Sequence, residues 1–170
     1  LLIYANWDSL PPHLEKDLLA YVSSGKGILP IHCASYCFRN SAEYVKMVGG
    51  QFWRHTMDSI EAKIIQPDHF IMKGLRPFKV VDETYLHDHL QDDNNVLAER
   101  EIKADQFKDK PGVKTEPYTW TRNYGKGRVF YTAYGHDERT WQNTDFQELI
   151  YRGILWAVND DAKTSHASLK

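Results

Sequence analysis

The chain has 170 residues, of which 42% are hydrophobic, 13% aromatic and 26% charged, the proportions of one ordinary globular domain. A formal net charge of −2 gives no basic footprint for nucleic acid. No apolar stretch approaches the roughly 20 residues of a membrane span, so neither nucleic acid nor a membrane is an expected partner.

The chain opens as Leu1-Leu2-Ile3-Tyr4-Ala5, a strand already under way. This opening has no methionine, basic n-region or small-residue cleavage site, so it does not read as a secretory leader. A longer parent chain or an absent upstream segment is the expectation. The turn Asn6-Trp7-Asp8-Ser9 follows, then Pro11 and Pro12 in the first turn of a helix. Leu14, Leu18, Leu19 and Val22 lie on one side of that helix, which stops at Ser23-Ser24-Gly25. The apolar run Gly27 to Ile31 reads as a buried strand. Together these make a strand–helix–strand crossover, the unit of parallel sheets. His32 emerges where that strand ends, the side on which open α/β sheets bind ligands.

Asn40-Ser41-Ala42-Glu43 resembles a capping box with Asn40 as the cap, opening a short helix that ends at Gly49-Gly50. Ser59 to Ile65 alternates as a strand, Phe78 to Tyr85 is extended, and Asn95 to Ile102 is a further strand. Residues 103 to 116 form a polar loop. Tyr118 to Arg122 and Arg128 to Tyr134 flank a turn and predict an antiparallel hairpin. The last helix opens at Thr144 with Gln147 three residues on, again a capping box, and carries Phe146, Leu149, Ile150, Gly153, Ile154 and Ala157 on one face. The predicted architecture is α/β: a three-layer, flavodoxin-like, mostly parallel sheet with an antiparallel extension. One domain spans 1–158, and a polar tail occupies 159–170.

The second hairpin strand ends Gly135-His136-Asp137-Glu138. Two strands each ending in a histidine suggest one shared site, although a histidine after a strand is more often structural. Imidazole can bind a metal or move a proton near neutral pH. Glu83, beside Asp82, could be a general base with a pKa raised by burial; the bland alternative is a solvated acidic loop. His55 sits among Phe52, Trp53 and Arg54, aromatics that would suit a sugar-facing wall. Asn6 and Trp7 leave the first strand on the ligand side, and Tyr85 is a further hydroxyl reader. His87 and His89 would share a strand face, with Asp88 on the other. Cys33 and Cys37 lie too close together for a disulfide framework. They point to a reducing compartment such as the cytoplasm, with localisation otherwise open.

Gly25-Lys26-Gly27 leading to Ile31-His32-Cys33-Ala34-Ser35, then Val48-Gly49-Gly50-Gln51-Phe52 with His55, then Asp82-Glu83-Thr84-Tyr85, then Arg128 to Thr132 through Gly135-His136-Asp137, resembles the ThuA-like (trehalose-utilisation) family. The resemblance runs from Leu1 to about Val158, without the family's N-terminal strand and helix. It implies the class I glutamine-amidotransferase-like superfamily, in which a nucleophilic cysteine sits on a strand-to-helix elbow beside a histidine from a later strand. Here His32 takes the elbow position and His136 that of the partner. The Gly-x-Cys-x-Gly elbow is missing, so glutaminase chemistry is not supported.

The resemblance implies disaccharide or keto-sugar metabolism. The expected catalytic residues are Glu83, His136 and His32, and the expected sugar contacts are Asn6, Trp7, Trp53 and Tyr85. A divalent metal, zinc foremost, would sit on His32, His55 and His136; nothing indicates a nucleotide cofactor. A metal-assisted isomerase or hydrolase is the leading expectation. A non-catalytic sugar-binding module of a larger protein is the alternative, and a homo-oligomer is compatible with either.

Overall fold

The computed structural model describes residues 1–106 and 108–159; beyond Asn159, the expected tail lies outside the described residues. In chain order the elements are β1 (Leu2–Ile3), α1 (Pro12–Ser23), β2 (Leu29–Pro30), a 3₁₀ turn (His32–Ser35), α2 (Ala42–Val48), β3 (Gln51–Arg54), β4 (Met57–Ile60) and β5 (Lys63–Ile64). Then come β6 (Val80–Glu83), β7 (Leu86–Asp88), β8 (Asn95–Glu101), a second 3₁₀ turn (Ala104–Gln106), β9 (Thr115–Tyr124), β10 (Gly127–Thr132), α3 (Glu138–Trp141) and α4 (Thr144–Ala157).

The first crossover forms as its sequence dictates. β1 and β2 pair in parallel, with Leu2 opposite Leu29 and Ile3 opposite Pro30. Between them α1 starts at Pro12, where the missing N–H has no helical partner to lose. Val22 is buried and Leu18 and Leu19 pack against the core, while Leu14 is exposed. Parallel bridges from Ile28 to Val129 and from Ile31 to Thr132 then join this unit to β10.

Beyond that seam the expected mostly parallel sheet is overturned. β10, β9, β8 and β5 form an antiparallel sheet, and β3–β7 and β4–β6 are separate antiparallel ribbons. Among the described residues β1–β2 is the one parallel strand pair. The reason is connectivity. A parallel pair needs a crossover of a dozen residues or more, usually a helix, and no α-helix lies between β3 and β10 among the described residues. The segment expected as one strand, Ser59 to Ile65, divides into β4 and β5 of different sheets. The predicted hairpin is present as β9 and β10, with Tyr131 opposite Trp120.

Side chains alternate along β10 and bury both faces. Phe130 meets α4 at Gly153, where a methyl group would stand 2.7 Å from the Phe130 ring. Tyr131, on the other face, lies 4.2 Å from Trp120, ring centre to ring centre, and the Trp120 indole donates to the Val48 carbonyl at the end of α2. Two helix caps differ from expectation. Ser41 caps α2 by accepting from the Tyr44 N–H, because Asn40 is committed to both backbone groups of Leu10. Asn143 caps α4, while the Gln147 amide reaches the Trp141 carbonyl.

Candidate functional site

β2 ends in a sharp turn. His32 adopts φ of +50°, a left-handed conformation that costs a residue other than glycine of order 1 kcal/mol or more and persists only where its surroundings enforce it. Here the ring is fixed by the strand next door: Nδ1 lies 2.7 Å from the Ala133 carbonyl. A carbonyl only accepts, so Nδ1 carries the hydrogen, and in the neutral ring Nε2 is left as a lone pair. Gly135, at φ +131°, lets the next loop pass; a Cβ there would come within 3.3 Å of the His32 Cβ.

Around that nitrogen the chain gathers its acid and two further imidazoles. His32 Nε2 lies 3.2 Å from Glu83 Oε2 and 3.1 Å from the Tyr85 hydroxyl, and the Tyr85 ring stacks on the imidazole at 4.4 Å. Glu83 Oε1 is met by His136 Nδ1 at 3.2 Å and by His55 Nδ1 at 3.3 Å. The wall is completed by Tyr4, Asn6, Cys33, Tyr36 and Phe52 around a cavity of about 300 Å³, at the small end of sites for small molecules.

Glu83 corrects one expectation. Burial alone would raise its pKa, but the hydrogen bond from His32 and the charges of His55, His32 and His136 outweigh it and hold the carboxyl below its ordinary value. Glu83 is therefore anionic at neutral pH. Cys33 goes the other way: burial first, then Cys37, pushes its thiol up to about 11, leaving no thiolate for nucleophilic attack.

Asp82, which sequence alone leaves as the neighbour of Glu83, organises both halves of the site. It is fully buried. One oxygen accepts from the Glu83 N–H (2.7 Å) and the His136 N–H (3.2 Å), the other from the Gly135 N–H (2.9 Å) and the Thr140 hydroxyl (2.6 Å). The Gly135 carbonyl receives the Tyr4 hydroxyl and the Trp141 indole. The Arg100 guanidinium donates to the carbonyls of Thr84 and Tyr85, steadying the other segment.

The predicted residues therefore divide. His32, His136, Glu83, Tyr85, His55 and Asn6 share one cavity. Trp7 is 69% exposed and Trp53 43% exposed, and neither lines it. His87 is buried against Glu116, whereas His89 is exposed at φ +50°; β7 ends at Asp88, so the expected shared face does not exist. The ligand atoms of His32, Glu83 and His136 lie within 4.8 Å of one another. Expected as a ligand, His55 stands outside that set, and Glu83 joins it. His32 Nε2 and His136 Nδ1 stand 3.2 Å from different oxygens of Glu83, and two imidazoles with one carboxylate are a donor set that fits a divalent ion.

The family model for ThuA, trehalose utilisation, matches residues 1–157. The chain belongs to the ThuA family. Similar solved structures include a ThuA-like protein of Parabacteroides merdae, 23% identical with a TM-score of 0.80, covering 99% of this chain and 72% of that one. A ThuA-like protein of Bacteroides uniformis is 19% identical with a TM-score of 0.72, covering 90% and 66%. A β-galactosidase from Rahnella sp. R3 shares the fold at a TM-score of 0.55 and 15% identity, over 87% of this chain and 21% of that one. No curated protein matches the sequence. Among the described residues no helix is long and apolar enough to cross a membrane.

Proposed function

We propose that this ThuA-family chain is an enzyme of sugar metabolism that moves a proton beside a carbonyl of a keto-sugar or oxidised disaccharide. His32, Glu83 and His136 would hold a divalent cation, zinc foremost. When bound, such an ion supplies polarisation of the sugar carbonyl oxygen. The observation that carries the reading is the His32 ring: its Nδ1–H is spent on Ala133, and its Nε2 lies 3.2 Å from the Glu83 carboxylate, so the position between them is filled either by the proton that holds the carboxyl low or by a cation in its place. A backbone carbonyl behind the ring is how metal-binding histidines are oriented.

Glu83, kept ionised, holds charge and aligns three imidazoles; a carboxylate of lowered pKa is a weaker base than one tuned near neutral pH. His55, on the exposed rim of the same carboxylate, is the residue placed to take or return the proton. Tyr85 donates a hydroxyl while its ring buttresses His32, and burial keeps that phenol protonated. Asn6, Tyr4 and Tyr36 offer hydrogen bonds to sugar hydroxyls, and Phe52 an apolar face. The saccharide itself is suggested by the family's description, trehalose utilisation.

Metal content after loading with zinc or cobalt is the first test. The parent should take one equivalent; Glu83→Gln and His136→Ala should lose it, and His55→Ala should keep it. In deuterated water the loaded parent should exchange the hydrogen next to the carbonyl of a keto-disaccharide, and His55→Ala should not. A parent that binds no metal, or a Glu83→Gln protein that exchanges at the parental rate, would overturn the reading.

A further inference from the structure

Behind the His32 turn lies a second polar assembly that lines no part of the cavity: Glu116, His87, Tyr131 and Ser35, each at most 1% exposed. Its hydrogens can be placed one by one. Glu116 accepts from the His87 backbone N–H (2.7 Å) and, on its other oxygen, from Lys110 (2.7 Å). Burial opposes its ionisation, but His87 and Lys110 prevail and hold the carboxyl below its ordinary value. An ionised carboxylate only accepts, so the His87 nitrogen 3.2 Å from it, Nδ1, carries the hydrogen. Burial keeps the ring neutral by depressing its pKa, with Glu116 in partial opposition.

His87 Nε2 is then an acceptor, and the Tyr131 hydroxyl stands 3.0 Å from it. That commits the phenol's single hydrogen. The His32 carbonyl, 3.3 Å from the same phenol oxygen, is left to the Ser35 hydroxyl, whose hydrogen is shared between that carbonyl at 3.1 Å and the Tyr131 oxygen at 2.9 Å. This arrangement satisfies both buried acceptors with the two hydroxyl hydrogens present. It also bears on the His32 residue, whose backbone is in the left-handed region and whose ring enters the cavity.

We infer that His87, oriented by Glu116, is a positioning residue of the site: through Tyr131 and Ser35 it holds the left-handed turn that aims the His32 ring, without touching substrate or metal. The inference rests on the reading of His32 as a site residue given above. It differs from a plain core role in what it forecasts. Removing the hydroxyl of Tyr131 leaves His87 Nε2 unpaired and frees the Ser35 hydroxyl from its set direction, so the effect appears at His32, on a different element and beyond hydrogen-bond reach of His87.

Tyr131→Phe, His87→Leu and His87→Gln are compared with the parent by thermal melting, by ¹⁵N spectra of the His32 ring in metal-free protein, and by cobalt titration. Folded Tyr131→Phe and His87→Leu should lose the protected Nδ1–H signal of His32 and bind cobalt about 10- to 100-fold more weakly, the range for outer-shell partners of metal ligands. His87→Gln keeps an amide to partner the Tyr131 hydroxyl and should stay within about threefold of the parent. Folded Tyr131→Phe and His87→Leu proteins with parental His32 signals and parental cobalt affinity would overturn the inference. Should both fail to fold, Ser35→Ala decides, since unchanged His32 signals there count against it. A parent that takes no cobalt ends the metal reading instead, and the ring spectra alone then judge His87.

Discussion

Replacing Asp82 by asparagine isolates the residue that ties the two halves of the site together. The native carboxylate accepts two hydrogen bonds on each oxygen, three from backbone N–H groups and one from Thr140. Asparagine turns one oxygen into an NH2 group. Facing Glu83 and His136, that group would leave two backbone donors unpaired. Facing Gly135 and Thr140 it strands only the Gly135 N–H, because the Thr140 hydroxyl can rotate and accept. The second orientation is therefore expected. One stranded buried donor costs ~1–3 kcal/mol, and hydrogen bonds to a charged acceptor are worth ~1.5–3 kcal/mol against about 1 for neutral ones. The stranded donor and the weakening of the two bonds kept by Oδ1 sum to a destabilisation of about 2–7 kcal/mol, a large share of the 5–15 kcal/mol typical of a domain. In a chain of this size that lowers Tm by roughly 5–25 °C, and urea unfolding should show a lower midpoint at unchanged slope. Thr140→Val, which removes only a hydroxyl, should cost about 1 kcal/mol. An Asp82→Asn protein melting within about 1 °C of the parent would refute the placement of these hydrogens.

Acid should destabilise the fold in two stages. His87 has a depressed pKa when folded, so below the ordinary histidine value of ~6.5 the unfolded chain binds the proton more readily, and stability present above that pH is lost as pH falls toward the folded value. Glu116 and Glu83, also depressed, extend the loss below the ordinary carboxylate range; urea midpoints should hold between pH 8 and about 7 and fall from there to pH 3, and His87→Gln should flatten the upper stage. Gly153→Ala gains up to ~1 kcal/mol of helix propensity but drives a methyl into Phe130 at 2.7 Å. Overpacking typically costs ~1–3 kcal/mol, so its Tm should fall; a rise would show that Phe130 can move aside. Trp7→Ala and Trp53→Ala, at positions outside the cavity, should leave zinc stoichiometry and hydrogen exchange within about twofold of the parent, and a tenfold loss would bring one of them into the site.

His32 and His136 were legible because each closes an apolar strand beside small or glycine neighbours, a pattern local in sequence. Glu83 was legible as an acid at a strand end. Its neighbour Asp82 was not, because adjacent carboxylates look alike until burial separates them: one faces the cavity and the other is enclosed by four donors. Trp7 and Trp53 show the reverse error. An aromatic in a loop is equally compatible with a binding wall and with solvent, and here both are exposed. Extending strand alternation from His87 to His89 failed because the backbone leaves the strand after Asp88. One crossover suggests a parallel sheet, but between β3 and β10 the described residues hold no α-helix to make a second. At α2, two adjacent cap-forming residues were distinguishable only once Asn40 was seen bonding to Leu10.

The seam between β2 and β10 governs when His32 can meet the group that orients it. His32 and the carbonyl that orients it, on Ala133, are 101 residues apart, and His136 follows on the same late segment. A nascent chain emerging from the ribosome therefore carries its elbow histidine long before anything can aim it, and loop closure over such a span is slow. A cleavage after β9 would part His32 from both the Ala133 carbonyl that orients its ring and His136, which meets the same carboxylate.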